Sequence, residues 1–187
     1  MRRAAFLDRD GVINIDHGYV HKPDDFEWIP GVLEAAARLS NAGFALVVVT
    51  NQSGIGRGYY DESAFTELTR WMSSVFAKAG APLAGVYFCP HHPVKAQGKY
   101  QVVCHCRKPA PGMLLRAAQE LSLDLSRSAM FGDKSSDCQA GLAAGCPERI
   151  FLSNNCDMLP AEATRGFQNL YEAVFSPWFE QFAKTPL

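Results

Sequence analysis

The sequence has almost no excess of charge: 18 Lys and Arg face 19 Asp and Glu, a formal net charge of −1. A chain this balanced offers no broad cationic field for a nucleic acid or an anionic membrane surface. Any anionic ligand must be held by a few placed cations. Long apolar runs are lacking too. Phe44 to Val49 is a strand-length stretch, far short of the roughly 20 residues that span a bilayer. After Met1-Arg2-Arg3 only Ala4 to Leu7 are apolar before Asp8, too few for the core of a secretory leader. There is no internal repeat, low-complexity tract or interdomain linker. The expectation is a cytoplasmic protein of one domain, residues 1–187, whose six cysteines are reduced or metal-bound.

What is present is an alternation of short apolar runs and helical patterns. Ala4–Leu7, Phe44–Val49, Val86–Phe88, Ala129–Phe131 and Arg149–Leu152 read as strands. The second shows no polar alternation, as suits a strand covered on both faces. One helix is expected from Pro30 or Gly31 to Ala42, with Val32, Ala36 and Leu39 inward. A second runs from an Asp61 cap to about Ala79, burying Phe65, Leu68, Met72 and Phe76. A third starts at Pro111 or Gly112, with Leu114, Leu115, Ala118 and Leu121 inward, and a fourth covers Asp137 to Ala144, ended by Gly145. This order implies a three-layer α/β/α doubly wound parallel sheet. Beyond Pro160, Phe167, Leu170, Tyr171, Val174 and Trp178 suggest an amphipathic helix, interrupted by Pro177 and packed on the domain.

In such sheets ligands bind beyond the carboxyl ends of the strands. Those ends carry Asp8-Arg9-Asp10, Thr50-Asn51-Gln52, Cys89 and Gly132-Asp133-Lys134. Gly11 permits a bend that turns Asp8 and Asp10 into one loop cavity. Two carboxylates there repel, so they need a cation or a shared proton. Asp133 can complete a hard oxygen site suited to magnesium, which uses one or two carboxylates, waters and substrate phosphate. A carboxylate of this kind can accept a phosphoryl group, and its neighbour can protonate a leaving oxygen and later activate water. Thr50 and Asn51 add neutral donors, and Lys108 and Lys134 add positive charge for a phosphoryl group. Singly each residue is ordinary turn chemistry. Four polar clusters in order after apolar strands point instead to a metal-assisted phosphate site.

Cys89-Pro90-His91-His92 and Cys104-His105-Cys106 bracket a polar loop. Three thiolates and one imidazole make a closed tetrahedral zinc set of the structural kind. The spacing does not decide among His91, His92 and His105. Because Cys106 leads directly into Arg107-Lys108-Pro109, zinc would fasten the loop that presents Lys108. Cys138, Cys146 and Cys156 read as ordinary small core or surface residues.

The D-x-D-G of Asp8 to Gly11, Thr50-Asn51 after three valines, Lys108, and the G-D-K-x-x-D of Gly132 to Asp137 resemble, in order, the four motifs of the haloacid dehalogenase (HAD) superfamily. The resemblance implies a HAD-like Rossmannoid fold with Asp8 as nucleophile, Asp10 as acid/base, and Thr50 and Lys108 as phosphoryl stabilisers. It also implies magnesium on Asp8, Asp133 and the Asp10 carbonyl, with Asp137 orienting Lys108 or a metal-bound water. A large inserted cap does not fit, so loops must define specificity. The C-x-H…C-x-C-R-K-P pattern is similar to the zinc-containing subgroup that acts on heptose bisphosphates and on histidinol phosphate. That likeness implies zinc on Cys89, His91, Cys104 and Cys106. Three stretches favour heptose bisphosphate: Asn14 to Val20, Asn51 to Gly58, and Gly132 to Lys134. They imply a substrate loop of Asp16, His17, Gly18 and Tyr19, a cavity lined by Thr50, Asn51, Gln52 and Ser53, and contacts from Arg107, Lys108 and Lys134. A bisphosphate also needs a second anion site, for which Arg107 and Arg57 are candidates. Val12 departs from the threonine of many relatives. The expected partner is a small phosphorylated sugar on a step toward the activated heptose of bacterial lipopolysaccharide, with no nucleic acid or membrane and the chain a monomer. Histidinol-phosphate hydrolysis, or zinc-stabilised binding of a phosphorylated ligand without hydrolysis, stay open as alternatives.

Overall fold

A computed structural model of the chain describes residues 1–155 and 158–184. Six strands form one parallel sheet: β1 Ala4–Leu7, β2 Ala45–Asn51, β3 Leu83–Cys89, β4 Ala129–Gly132, β5 Glu148–Leu152 and β6 Arg165–Phe167, in spatial order β3-β2-β1-β4-β5-β6. The chain first winds outward from β1 to β3, then returns to the other side of β1 at β4. The topological switch point therefore lies between β1 and β4, where a ligand crevice is expected.

The apolar runs are explained by burial on both faces. In β1, Ala5 and Leu7 join a core with α1 (Val32–Asn41), α3 (Glu62–Lys78), α6 (Leu170–Val174) and α7 (Pro177–Ala183). Ala4 and Phe6 point the other way, into a core with α4 (Gly112–Leu121) and α5 (Ser135–Ala144). This is the three-layer HAD-like fold. Asp61 caps α3 by accepting from the Ala64 amide at 2.8 Å, and Gly145 ends α5 in the left-handed region. Cys138 and Cys146 are buried core residues, while Cys156 lies outside the described residues.

Two expectations need correction, and one element was not foreseen. The short helix α2 (Ser53–Gly56) precedes α3 and carries no apolar period long enough to be read. In α4, Leu114, Ala118 and Leu121 face the core as expected and Met113 and Ala117 join them, but Leu115 is 46% exposed. The tail is not one interrupted helix. Phe167 closes β6, and Pro177 begins α7 at its first turn, where its missing N–H costs nothing, with Ser176 as the cap. The tail does pack on the domain: Leu170, Ala173, Val174 and Phe179 are all in the core.

Candidate active site

Asp8 follows β1 directly, and its amide donates to the Phe131 carbonyl of β4 at 3.0 Å, so the carboxylate stands at the switch point. Its Oδ1 accepts from the Arg9 amide at 2.8 Å and pairs with Lys108 Nζ at 3.0 Å. Lys108 is itself buried and meets two further acceptors, Asp137 Oδ1 at 2.6 Å and the Val49 carbonyl at 2.8 Å. Burial pulls the lysine's pKa down, but Asp137 and Asp8 outweigh it and leave it raised. Burial pushes Asp8 up to about 6, against the pull of Lys108.

Asp133, after β4, is pushed up to about 7, chiefly by burial, with Lys134 opposing and Asp8 and Asp137 adding repulsion. Its Oδ1 is buried without a hydrogen bond, and Lys134 Nζ stands off at 3.8 Å. Oxygens of Asp8, Asp133 and Asp137 lie within 4.8 Å of one another. A hard divalent cation fits this donor set, since it would partner the bare Asp133 oxygen and relieve the repulsion. Gly11 makes the approach possible: at φ +90° it adopts a turn that disfavours side chains, and a Cβ there would collide with the Asp133 carboxylate.

The Asp10 side chain is not part of that cluster. It accepts from Arg9 Nε and Nη2 at 3.2 and 2.9 Å, from Asn14 Nδ2 at 3.0 Å, and from Gln52 Nε2 at 2.9 Å. Thr50 is buried, its Oγ1 accepting from the same Gln52 nitrogen. Asn51 acts differently from the expected free donor. Its side chain accepts from the Lys108 amide at 3.0 Å and donates to the Lys108 carbonyl at 3.1 Å, clamping the lysine's backbone.

A cavity of about 570 Å3 opens over these groups, within the size range of small-molecule sites. Asp10, Asp16, Gly18, Tyr19, Asn51, Gln52, Ser53, Arg107, Lys108 and Lys134 line it. His17 does not. It is exposed, pairs with Glu27 at 2.7 Å, and borders a neighbouring surface hollow. Arg57 also lies outside the lining, with its guanidinium 5.5 Å from the Tyr19 ring. Arg107 is thus the candidate left for a second anion, since Lys134 stands between Asp16 and Asp133.

The cysteine and histidine cluster closes as a quartet. Sγ of Cys106 lies 3.1 Å from that of Cys89 and 3.3 Å from that of Cys104, and His91 Nδ1 is 3.3 Å from Cys106 Sγ. These edges approach the roughly 3.8 Å of a tetrahedron with metal–sulfur bonds near 2.3 Å. His92 is excluded, because its Nδ1 accepts from the Val94 and Lys95 amides at 3.2 and 3.0 Å. Arg107 Nη1 ties the cluster to the cavity by donating to the His91 carbonyl at 3.1 Å.

Sequence reasoning missed Arg9, Asn14 and Tyr60 as parts of the site. Arg9 is a guanidinium only 1% exposed, and its place between two aspartates was a usable signal. Tyr60, which hydrogen-bonds Gln52, sits among glycines and aromatics that carry none.

A parallel sheet with this aspartate and lysine cluster at its switch point defines a HAD-like hydrolase. The family model described as HAD-hydrolase-like matches residues 105–162. A Photorhabdus laumondii protein named D-glycero-beta-D-manno-heptose-1,7-bisphosphate 7-phosphatase is 57% identical over 80% of this chain and 79% of its own length. One of the same name from Escherichia coli (strain K12) is 50% identical over 84% and 82%. The crystal structure of D,D-heptose 1,7-bisphosphate phosphatase from B. bronchiseptica, complexed with magnesium and phosphate, superposes with a TM-score of 0.78 at 32% identity, covering 92% of this chain and 96% of that one. The chain belongs to the D-glycero-β-D-manno-heptose-1,7-bisphosphate 7-phosphatase family.

Proposed function

We propose that this chain hydrolyses the 7-phosphate of D-glycero-β-D-manno-heptose 1,7-bisphosphate, giving heptose 1-phosphate and inorganic phosphate through an aspartyl-phosphate on Asp8. The observation that carries the chemistry is the buried Asp8–Lys108–Asp137 chain of ion pairs beneath a cation-lined cavity. Asp8 Oδ1 is held by Lys108 and the Arg9 amide, so Oδ2 is the attacking oxygen. It forms a bond to phosphorus as the bond to the sugar oxygen breaks, and Asp10 supplies that oxygen's proton. Water then attacks phosphorus, Asp10 takes its proton back, and Asp8 is regenerated. Lys108 contributes a fixed positive charge, and the N–H it turns toward Asp8 can be redirected to a phosphoryl oxygen. Thr50, Asn51, Gln52 and Ser53 shape the floor, and Asp16, Gly18 and Tyr19 the sugar-facing wall. Arg107 takes the distal phosphate, and Lys134, 3.8 Å from Asp133 Oδ1, adds charge beside the reacting one.

Asp8, Asp133 and the Asp10 carbonyl would hold magnesium, which when bound neutralises the phosphate against an anionic nucleophile. Cys89, His91, Cys104 and Cys106 would hold zinc as a clasp for the loop that ends in Lys108. The reading has the chain act as a monomer in the cytoplasm, on a precursor of lipopolysaccharide heptose. Among the described residues no helix is long and apolar enough to cross a membrane.

Steady-state comparison of the β and α anomers of heptose 1,7-bisphosphate with histidinol phosphate tests the assignment. The β anomer should give the highest kcat/KM. Faster turnover of histidinol phosphate would overturn the substrate, and no turnover of any of them would overturn the activity.

A further inference from the structure

We propose that Tyr60 is a positioning residue for Asp10, acting through the Gln52 amide and joined by His21 to the substrate loop. The inference rests on Asp10 being the general acid proposed above.

Gln52 is buried, and its Nε2 donates to both Asp10 Oδ2 at 2.9 Å and Thr50 Oγ1 at 2.8 Å. On the other side its Oε1 accepts from the Tyr60 hydroxyl. A terminal amide can sit in either of two nearly isosteric orientations, and the hydrogen-bonding partners decide which. With the carboxylate of Asp10 accepting on one side, the hydroxyl proton of Tyr60 on the other favours the orientation that presents the amide's N–H to Asp10. Burial pushes the phenol up to about 12, against the pull of Arg9, so it remains an O–H donor at any working pH.

The ring is held as firmly as the hydroxyl. Tyr60 packs with Ile55 and Phe65, and Gly54 lies so close beneath it that a Cβ would strike the ring. The His21 imidazole stacks on its other face, 4.9 Å between centroids and 5° from parallel, while His21 Nδ1 contacts the Tyr19 carbonyl at 2.9 Å. A second route runs beside the first. Arg9 Nη2 grips both Asp10 oxygens and donates to the Val20 carbonyl at 2.7 Å. The segment Tyr19 to His21 thus reaches Asp10 through Arg9 and through Tyr60–Gln52. A sugar seated against Tyr19 presses on the same framework that aims the acid.

A general acid matters most when the leaving oxygen is a poor leaving group, and little when it leaves readily as a nitrophenolate. Measuring kcat/KM confines the readout to events up to leaving-group departure, before water attacks the phosphoryl enzyme. The magnesium-loaded full-length protein and its Tyr60→Phe and Asp10→Asn variants are compared on heptose 1,7-bisphosphate and on 4-nitrophenyl phosphate. Tyr60→Phe keeps the ring and its stack, and is expected to lose about tenfold on the sugar but less than about twofold on the aryl ester. An equal loss on both substrates, or none on the sugar, overturns the positioning role. Asp10→Asn separates the two claims: it should show a larger loss of the same selectivity, and an unselective loss would sink the acid assignment itself. If Tyr60→Phe melts well below the parent, Gln52→Met, which removes the amide while keeping bulk, must show the selective loss for the proposal to stand.

Discussion

Two clusters of metal-capable side chains lie within one turn of chain from each other at Cys106 and Lys108, yet they are built on opposite plans. The carboxylate cluster draws Asp8, Asp133 and Asp137 from either side of the sheet's switch point, and Lys108 from the loop before α4. The cysteine cluster draws its four side chains from one short span, Cys89 to Cys106. The first consists of hard oxygens and exists only when β1 and β4 lie side by side. The second consists of soft sulfurs, and a metal could close it from local chain alone. On the function proposed, the contrast separates chemistry from support: the site that depends on the whole fold would do the reaction, and the local one would fix how a single loop enters it.

The sharpest break in that division is Asp8→Asn. It should lower kcat by about ten-thousand-fold or more while leaving the melting temperature unchanged or raised, because a buried charge with a raised pKa is removed. Phosphatase activity that survives, measured with zinc still bound, would exclude covalent catalysis at that position. Cys104→Ala should act on stability and activity together, destabilising by about 3 kcal/mol or more and lowering turnover through the Lys108 loop. Thermal unfolding and steady-state rates on the same samples check it, and a zinc-free protein with unchanged melting and rate would refute the support role.

The smallest effect concerns pH. Burial holds Asp8 at about 6 and Asp133 at about 7, both above their unfolded value of 3.8. The folded state therefore binds more protons than the unfolded one across that window, and stability falls as pH rises through it. Magnesium-free protein should be less stable at pH 8 than at pH 5.5, by on the order of 2 kcal/mol, with magnesium restoring much of the difference at pH 8. Calorimetry with and without the ion reads this directly. A metal-free protein that gains stability over the same interval would show that the carboxylates are not competing for charge.

Much of the fold was readable because local and global signals agree. Ala4–Leu7 is a strand as expected, and Asp61 caps α3 where the Phe65, Leu68, Met72 and Phe76 stripe begins. The strand ends delivered Asp8, Thr50, Cys89 and Asp133 in the right places. What escaped depends on partners distant in sequence. Leu115 and Met113 are equally apolar, and only the angle at which α4 meets the sheet decides which is covered. Pro177 breaks a helix or starts one according to whether Ser176 is free to cap it. His17 was expected in the cavity with its neighbours, but Glu27 draws it outward. Tyr60 enters the site only because Gly54 and His21 leave one slot for its ring.

Lys108 carries a final consequence. Its ammonium has oxygens of Val49, Asp8 and Asp137 within 3.0 Å, as many acceptors as it has hydrogens. Three acceptors arranged around a single nitrogen make a mould for a tetrahedral head. A guanidinium is flat and spreads its donors over three nitrogens, so it would satisfy two of these oxygens only by abandoning the third. Position 108 is therefore selective for shape as well as for charge, and arginine is no conservative replacement there.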